Sequence, residues 1–141
     1  MKRDLRFEVV YPNRIVDVWH ALADSGALAS WLMENDFKPL PGHRFHFRWK
    51  SRFGFERLIQ CEVLVVDEPR VLSWSWGEEG SVVTFRLVAT PEGTQLTLEH
   101  TGLKGARGFA LGWILRHGWA HKIEQKLPAV LANRGFGKDA P

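Results

Sequence analysis

Two periods organise the chain. Asp4 to Tyr11 alternates, with Leu5, Phe7, Val9 and Tyr11 on one side and Arg6 and Glu8 on the other, which predicts a half-buried strand. From Arg14 to Ala23 the spacing becomes helical: Ile15, Val18, Trp19 and Leu22 fall on one face, and Asn13 stands where a cap is expected. Asp24-Ser25-Gly26 punctuates, and a short second helix carries Leu28, Trp31 and Leu32. Glu34 to Gly42, with Pro39 and Pro41, reads as loop.

From Gly42 the period is two. Phe45, Phe47 and Trp49 alternate with Arg44, His46 and Arg48, and further strands are predicted at Leu58–Val66, Val71–Trp76, Val82–Ala89 and Thr94–Thr101. Asp67-Glu68-Pro69, Gly77–Gly80 and Pro91-Glu92-Gly93 supply the turns of a meander. The helical period returns from Gly108 to Arg134. There Phe109, Leu115, Trp119, Ile123, Leu127 and Val130 form a broad apolar stripe, and Pro128 on the polar side predicts a bend toward it. Strands of this kind bury one face, and the long amphipathic helix is their natural cover, so the class is α+β.

The length allows one domain, residues 1–141, with a real core. Seven Trp and nine Phe stand against one Tyr, an aromatic bulk that favours a dense core or a ring-lined pocket. Cys61 is the single cysteine, which rules out an internal disulfide and suits a reducing compartment. No run is long enough to span a membrane and MKRDLRFEVV has no apolar signal core, so the expected location is cytoplasmic. Charge is uneven. Residues 1–101 hold 12 Lys/Arg against 14 Asp/Glu, whereas residues 102–141 hold 7 against 2, so a basic C-terminal helix is available to an acidic partner.

Several strings, in this order, carry a resemblance. PNRIVDVWHALADSGALASWL, with Val18-Trp19, Ala21-Leu22 and Trp31, is followed by PGHRFHF, VVDEPRVLSWSW, GTQLTLEHTGL and HGWAHKIEQKL. Together they resemble the SRPBCC (START-like, Bet v 1-like) superfamily, and within it the branch named after the C-terminal domain of the activator of heat-shock protein 90 ATPase. The likeness runs from residue 5 to residue 132. It implies a helix-grip fold: a curved six-stranded antiparallel sheet around a long C-terminal helix, two short helices after strand 1, and an apolar cavity between helix and sheet. Members of the superfamily bind lipids, sterols or polyketides, some catalyse cyclisation or dehydration, and this branch includes chaperone co-factors. These residues hold no counterpart of the N-terminal domain with which eukaryotic chaperone activators engage their partner, which ranks that role second.

The candidate ligand-binding residues are the inward aromatics Phe45, Phe47, Trp49, Trp74, Trp76, Phe85, Trp113 and Trp119, with His100 and Arg116 as polar members. His100 shares a strand face with Leu96 and Leu98, and a buried imidazole is either a satisfied core group or an acid–base group; it is the one catalytic candidate. Arg116 lies inside the apolar stripe, placed to anchor an anion at a cavity mouth or to reach past it to solvent. His117 and His121 have metal-sharing spacing, with Glu124 on the same face, but that face is opposite the stripe and reads as solvated. No metal or cofactor is expected. RFHFRWKSRFGFER mixes bases and rings, but alternation accounts for its first half without nucleic acid. Phe53 and Phe55 at its tip are left for a cavity entrance, a membrane or a partner. The expectation is a non-catalytic binder of a small hydrophobic molecule. A chaperone-activator-like interaction module and a cyclase-like enzyme follow as alternatives.

Overall fold

In a computed structural model, described over residues 4–78, 80–103 and 114–133, seven strands form one antiparallel sheet. The elements run β1 (Leu5–Tyr11), α1 (Ile15–Ala23), α2 (Ser25–Trp31), β2 (Glu34–Asn35), β3 (Arg44–Lys50), β4 (Glu56–Asp67), β5 (Val71–Trp76), β6 (Ser81–Thr90) and β7 (Gly93–Thr101). The helix α3 occupies residues 114–133. The sheet order is β1-β7-β6-β5-β4-β3-β2, so the first strand closes on the last and the meander runs outward to the short β2 edge. It is an α+β fold with a curved antiparallel sheet and a C-terminal helix, in keeping with the helix-grip.

The seventh strand is the difference from the sequence reading. Glu34 and Asn35 lie in the stretch expected as loop, yet they pair with Arg48 and Phe47 of β3. Two residues between a helix end and two prolines carry no visible period, and only the exposed edge of β3 makes them a strand. The cap of α1 is also shifted: Arg14 holds that position without a side-chain bond, and the Asn13 carbonyl instead accepts from the Thr94 hydroxyl at 2.7 Å. Asp24 is the capping side chain, accepting from the Ala27 N–H at 2.9 Å to begin α2.

Alternation puts Leu72, Trp74, Phe85, Leu96 and Leu98 on the inner face, all fully buried. In β4 the register shifts between Val63 and Val65. Val63 is buried, whereas Val65, two residues on and so of the same parity, is 43% exposed, because the extra residue of a bulge reverses the alternation. At the β6–β7 turn Gly93 has φ +147, and an added Cβ would stand 2.1 Å from the Tyr11 carbonyl oxygen. Only glycine lets that turn close against the end of β1.

α3 buries Trp119, Ile123, Leu127 and Leu131, each four residues from the last, and its C-terminal part packs on α1 and α2. In a regular helix a four-residue repeat drifts by about 40° per step. Here Lys122–Lys126 form a π-helical turn, whose extra residue absorbs drift and keeps the stripe on the core. Pro128, where the sequence predicts a bend, lies in the α-helical turns Leu127–Asn133 that follow the π turn.

Candidate functional site

The two-residue period carries Phe45 and Phe47 of β3, Trp74 and Trp76 of β5, Phe85 of β6 and His100 of β7 to one face, and α3 lowers Trp119 onto them. None is more than 9% exposed. Their rings touch in sequence around the face: Phe45–Trp74 at 5.8 Å between centroids, Trp74–Phe85 at 5.3 Å, Phe85–Trp119 at 6.1 Å, Trp119–Trp76 at 5.5 Å and Trp76–Phe47 at 5.5 Å. The contacts are tilted or edge-to-face, the geometry the ring quadrupoles favour. Phe37, from the segment expected as loop, joins at 5.2 Å from Phe45. Much of the aromatic excess therefore fills the core by interlocking.

A chain of hydrogen bonds crosses this wall. The Trp119 indole N–H donates to His100 Nδ1 at 3.0 Å, so that nitrogen is the acceptor and the ring proton belongs on Nε2. Nε2 lies 3.0 Å from Ser81 Oγ, and the Ser81 hydroxyl donates to the Trp76 carbonyl at 3.0 Å. Every member is satisfied. Burial pushes the His100 imidazole down to about 4, with the Asp4 charge opposing weakly. An added proton on Nδ1 would face the Trp119 N–H, so the imidazole has no lone pair left for a substrate. Ser81 was missed as a site residue because it precedes the predicted strand, yet its parity with Val83 and Phe85 marks an inward polar position.

Trp74 differs from its neighbours. It is wholly buried, and its Nε1 has no hydrogen-bond partner. Toward the other end of the sheet, the Tyr11 hydroxyl donates to the Ile123 carbonyl at 2.5 Å. That carbonyl lacks a donor within α3, because the Leu127 N–H goes to Lys122 in the π turn and Pro128 has none. Burial, aided by the Glu124 charge, raises the Tyr11 phenol above its ordinary range. Cys61 is buried and its thiol is pushed up to about 12 by desolvation, with a Gly77 backbone bond opposing.

The remaining candidates stand apart from the wall. Trp49 continues the parity of Phe45 and Phe47 but is 48% exposed, because β3 and β4 run past the core there; the expectation that it lines the interior is corrected. Arg116 is exposed, with its guanidinium 6.0 Å from the centroid of Phe7, so it covers the edge of the sheet rather than entering the wall. Trp113 lies outside the described residues. His117, His121 and Glu124 are exposed. On the basic helix Lys122 turns inward, its ammonium donating to the Leu32 carbonyl at 3.0 Å, and burial with nearby Lys126 lowers it below the usual lysine range.

A curved antiparallel sheet gripping a C-terminal helix over an aromatic wall is the arrangement of the START-like class. Residues 14–132 match the family described as Activator of Hsp90 ATPase homolog 1-like protein, and the chain belongs to that family, within the SRPBCC superfamily. It is similar to protein MLL2253 from Mesorhizobium loti: 34% identity over 92% of this chain and 97% of that one, with a TM-score of 0.80. Protein BH1534 from Bacillus halodurans is 34% identical over 91% and 96% of the two chains, at 0.78. An AHSA1-like protein from Aeromonas hydrophila, 17% identical over 99% of each chain, shares the fold at 0.80. None of the curated proteins compared with it matches. Among the described residues no helix is long and apolar enough to cross a membrane.

Proposed function

We propose that this chain holds a small, mostly apolar molecule bearing a hydrogen-bond acceptor between the sheet and α3, without chemical turnover. One observation carries the reading: the indole N–H of Trp74, wholly buried in a ring wall and unpartnered. A buried donor without an acceptor costs about 1–3 kcal/mol, and a guest carbonyl, ether or phenol oxygen would recover it. The surrounding rings suit flat or acyl-chain guests, which enter by displacing rings already in contact. The polar groups among the described residues support action without turnover. His100 has both ring nitrogens engaged, and Tyr11 and Cys61 hold their protons.

Trp emission and native mass spectrometry on titration with aromatic ketones, fatty acids and matched hydrocarbons test this. Trp74→Phe should weaken acceptor-bearing guests about tenfold while leaving the matched hydrocarbon unchanged. Equal loss for both, or no guest at all, refutes it. The family relation supports a second reading, an activator-like protein-interaction module. Lys122 is tied to Leu32, so such an interface would use exposed Lys126 and Arg116. Lys126→Glu with Arg116→Glu should then abolish salt-sensitive chaperone binding.

A further inference from the structure

The end of the β3–β4 hairpin is built in a way that the core does not require. Phe53 is 80% exposed and Phe55 70%, with Trp49 at 48% on the strand below. The turn between them is nonetheless ordered. The Ser51 side-chain oxygen accepts from the N–H groups of both Phe53 and Phe55, at 3.2 and 3.1 Å. The Ser51 N–H reaches the Phe55 carbonyl at 2.8 Å, and Gly54 takes φ +90 to close the loop. Two phenyl rings are thus displayed to solvent on a pinned turn. Around them stand exposed Arg48, Arg52 and Arg57, while Lys50 lies between Glu34 and Glu56 at 3.8 Å from each.

We infer that this tip is a docking point for an anionic lipid bilayer surface, with Phe53, Phe55 and Trp49 entering the interface and the arginines meeting lipid phosphate. Three features favour a bilayer over a protein or a second copy. Both phenyl rings stand out into solvent at the hairpin end, so a protein would need a pocket to receive them, whereas lipid deforms around them. Its apolar content is chiefly three rings, less than the roughly 800 Å² that each partner contributes to a standard protein interface. Its composition, aromatic rings ringed by long cationic side chains, is that of interfacial anchors, where rings sit at headgroup depth and guanidinium groups reach phosphate. Trp49 continues the inward parity of Phe45 and Phe47, so the docked edge is also the lip of the ring wall. The inference does not require the wall to hold a guest, and its test involves none.

Cosedimentation of the full chain with phosphatidylcholine vesicles, and with phosphatidylcholine–phosphatidylglycerol vesicles, decides it. Binding should be confined largely to the anionic vesicles and should weaken with added salt. F53S/F55S should weaken it about tenfold or more, with an unchanged thermal midpoint because both rings are exposed. R52Q/R57Q should remove the preference for anionic lipid. Brominated lipid should quench wild-type emission more than that of Trp49→Phe. The inference is overturned if the wild-type chain stays in the supernatant with anionic vesicles, or if F53S/F55S pellets as well as wild type. It is equally overturned if sedimentation velocity shows a dimer that F53S/F55S dissociates while vesicle binding is absent.

Discussion

Acidification should strip stability from this protein through one imidazole, and the size of the loss follows from where that imidazole sits. His100 is fully buried, accepts the Trp119 N–H on Nδ1 and faces Ser81 through Nε2. Its folded-state value is pushed down to about 4 against an ordinary 6.5, chiefly by desolvation. As pH falls below 6.5 the unfolded chain takes up the proton first. The stability is therefore complete above about pH 7 and is lost progressively toward pH 4. A depression of this size corresponds to about 3 kcal/mol, a large part of the roughly 5–15 kcal/mol by which domains are stable. His100→Leu removes the titration, leaves the Trp119 N–H without its acceptor and takes the Nε2 donor from Ser81 Oγ, which still donates to the Trp76 carbonyl. The variant should be less stable than wild type at pH 7 by about 2 kcal/mol. Between pH 7 and pH 4.5 it should lose about 2–3 kcal/mol less than wild type. Urea unfolding at the two pH values, with m compared to verify the same transition, measures both quantities. Asp36 does not blur the comparison. Burial, which raises its carboxyl, is outweighed by bonds from His46, so its contribution falls away only at more acid pH and is shared by both proteins. Equal acid sensitivity in the two proteins would refute the assignment of a buried neutral imidazole.

Two further outcomes follow from the same packing. Tyr11→Phe leaves the Ile123 carbonyl of the π turn unpaired and should lower unfolding free energy by about 1–2 kcal/mol, read by urea titration; a change near zero would mean that water replaces the hydroxyl. Cys61, buried with its thiol raised to about 12, should react with a disulfide reagent at neutral pH only when denaturant opens the fold, as followed by absorbance.

The hydrophobic periods alone predicted the five strands of the meander, the first strand, both short helices and, in the α3 stripe, Trp119, Ile123 and Leu127; Leu131 rather than Val130 is the fully buried position that follows, and Phe109 lies outside the described residues. Side-chain parity is a local property, and it placed Phe45, Phe47, Trp74, Trp76, Phe85 and His100 inward correctly. What parity could not express is where the core ends. Trp49 obeys the same rule as Phe47 and is half exposed, because burial needs a neighbour above the strand and the hairpin outruns its cover. Val65 left the core through a bulge that needs a partner strand to exist. β2 became a strand only because β3 offered an open edge.

The site follows the same division. His100 was recognisable as an inward imidazole, but whether it was base or brace depended on Trp119 and Ser81, each 19 residues away along the chain. Likewise, Pro128 announced a disturbed helix, and only the fold brought the Tyr11 hydroxyl across 112 residues to answer it. Alternation is written along the backbone and can be read there. Hydrogen-bond partners and the limits of burial are set by distances between segments, and those come into being only when the sheet closes on its helix.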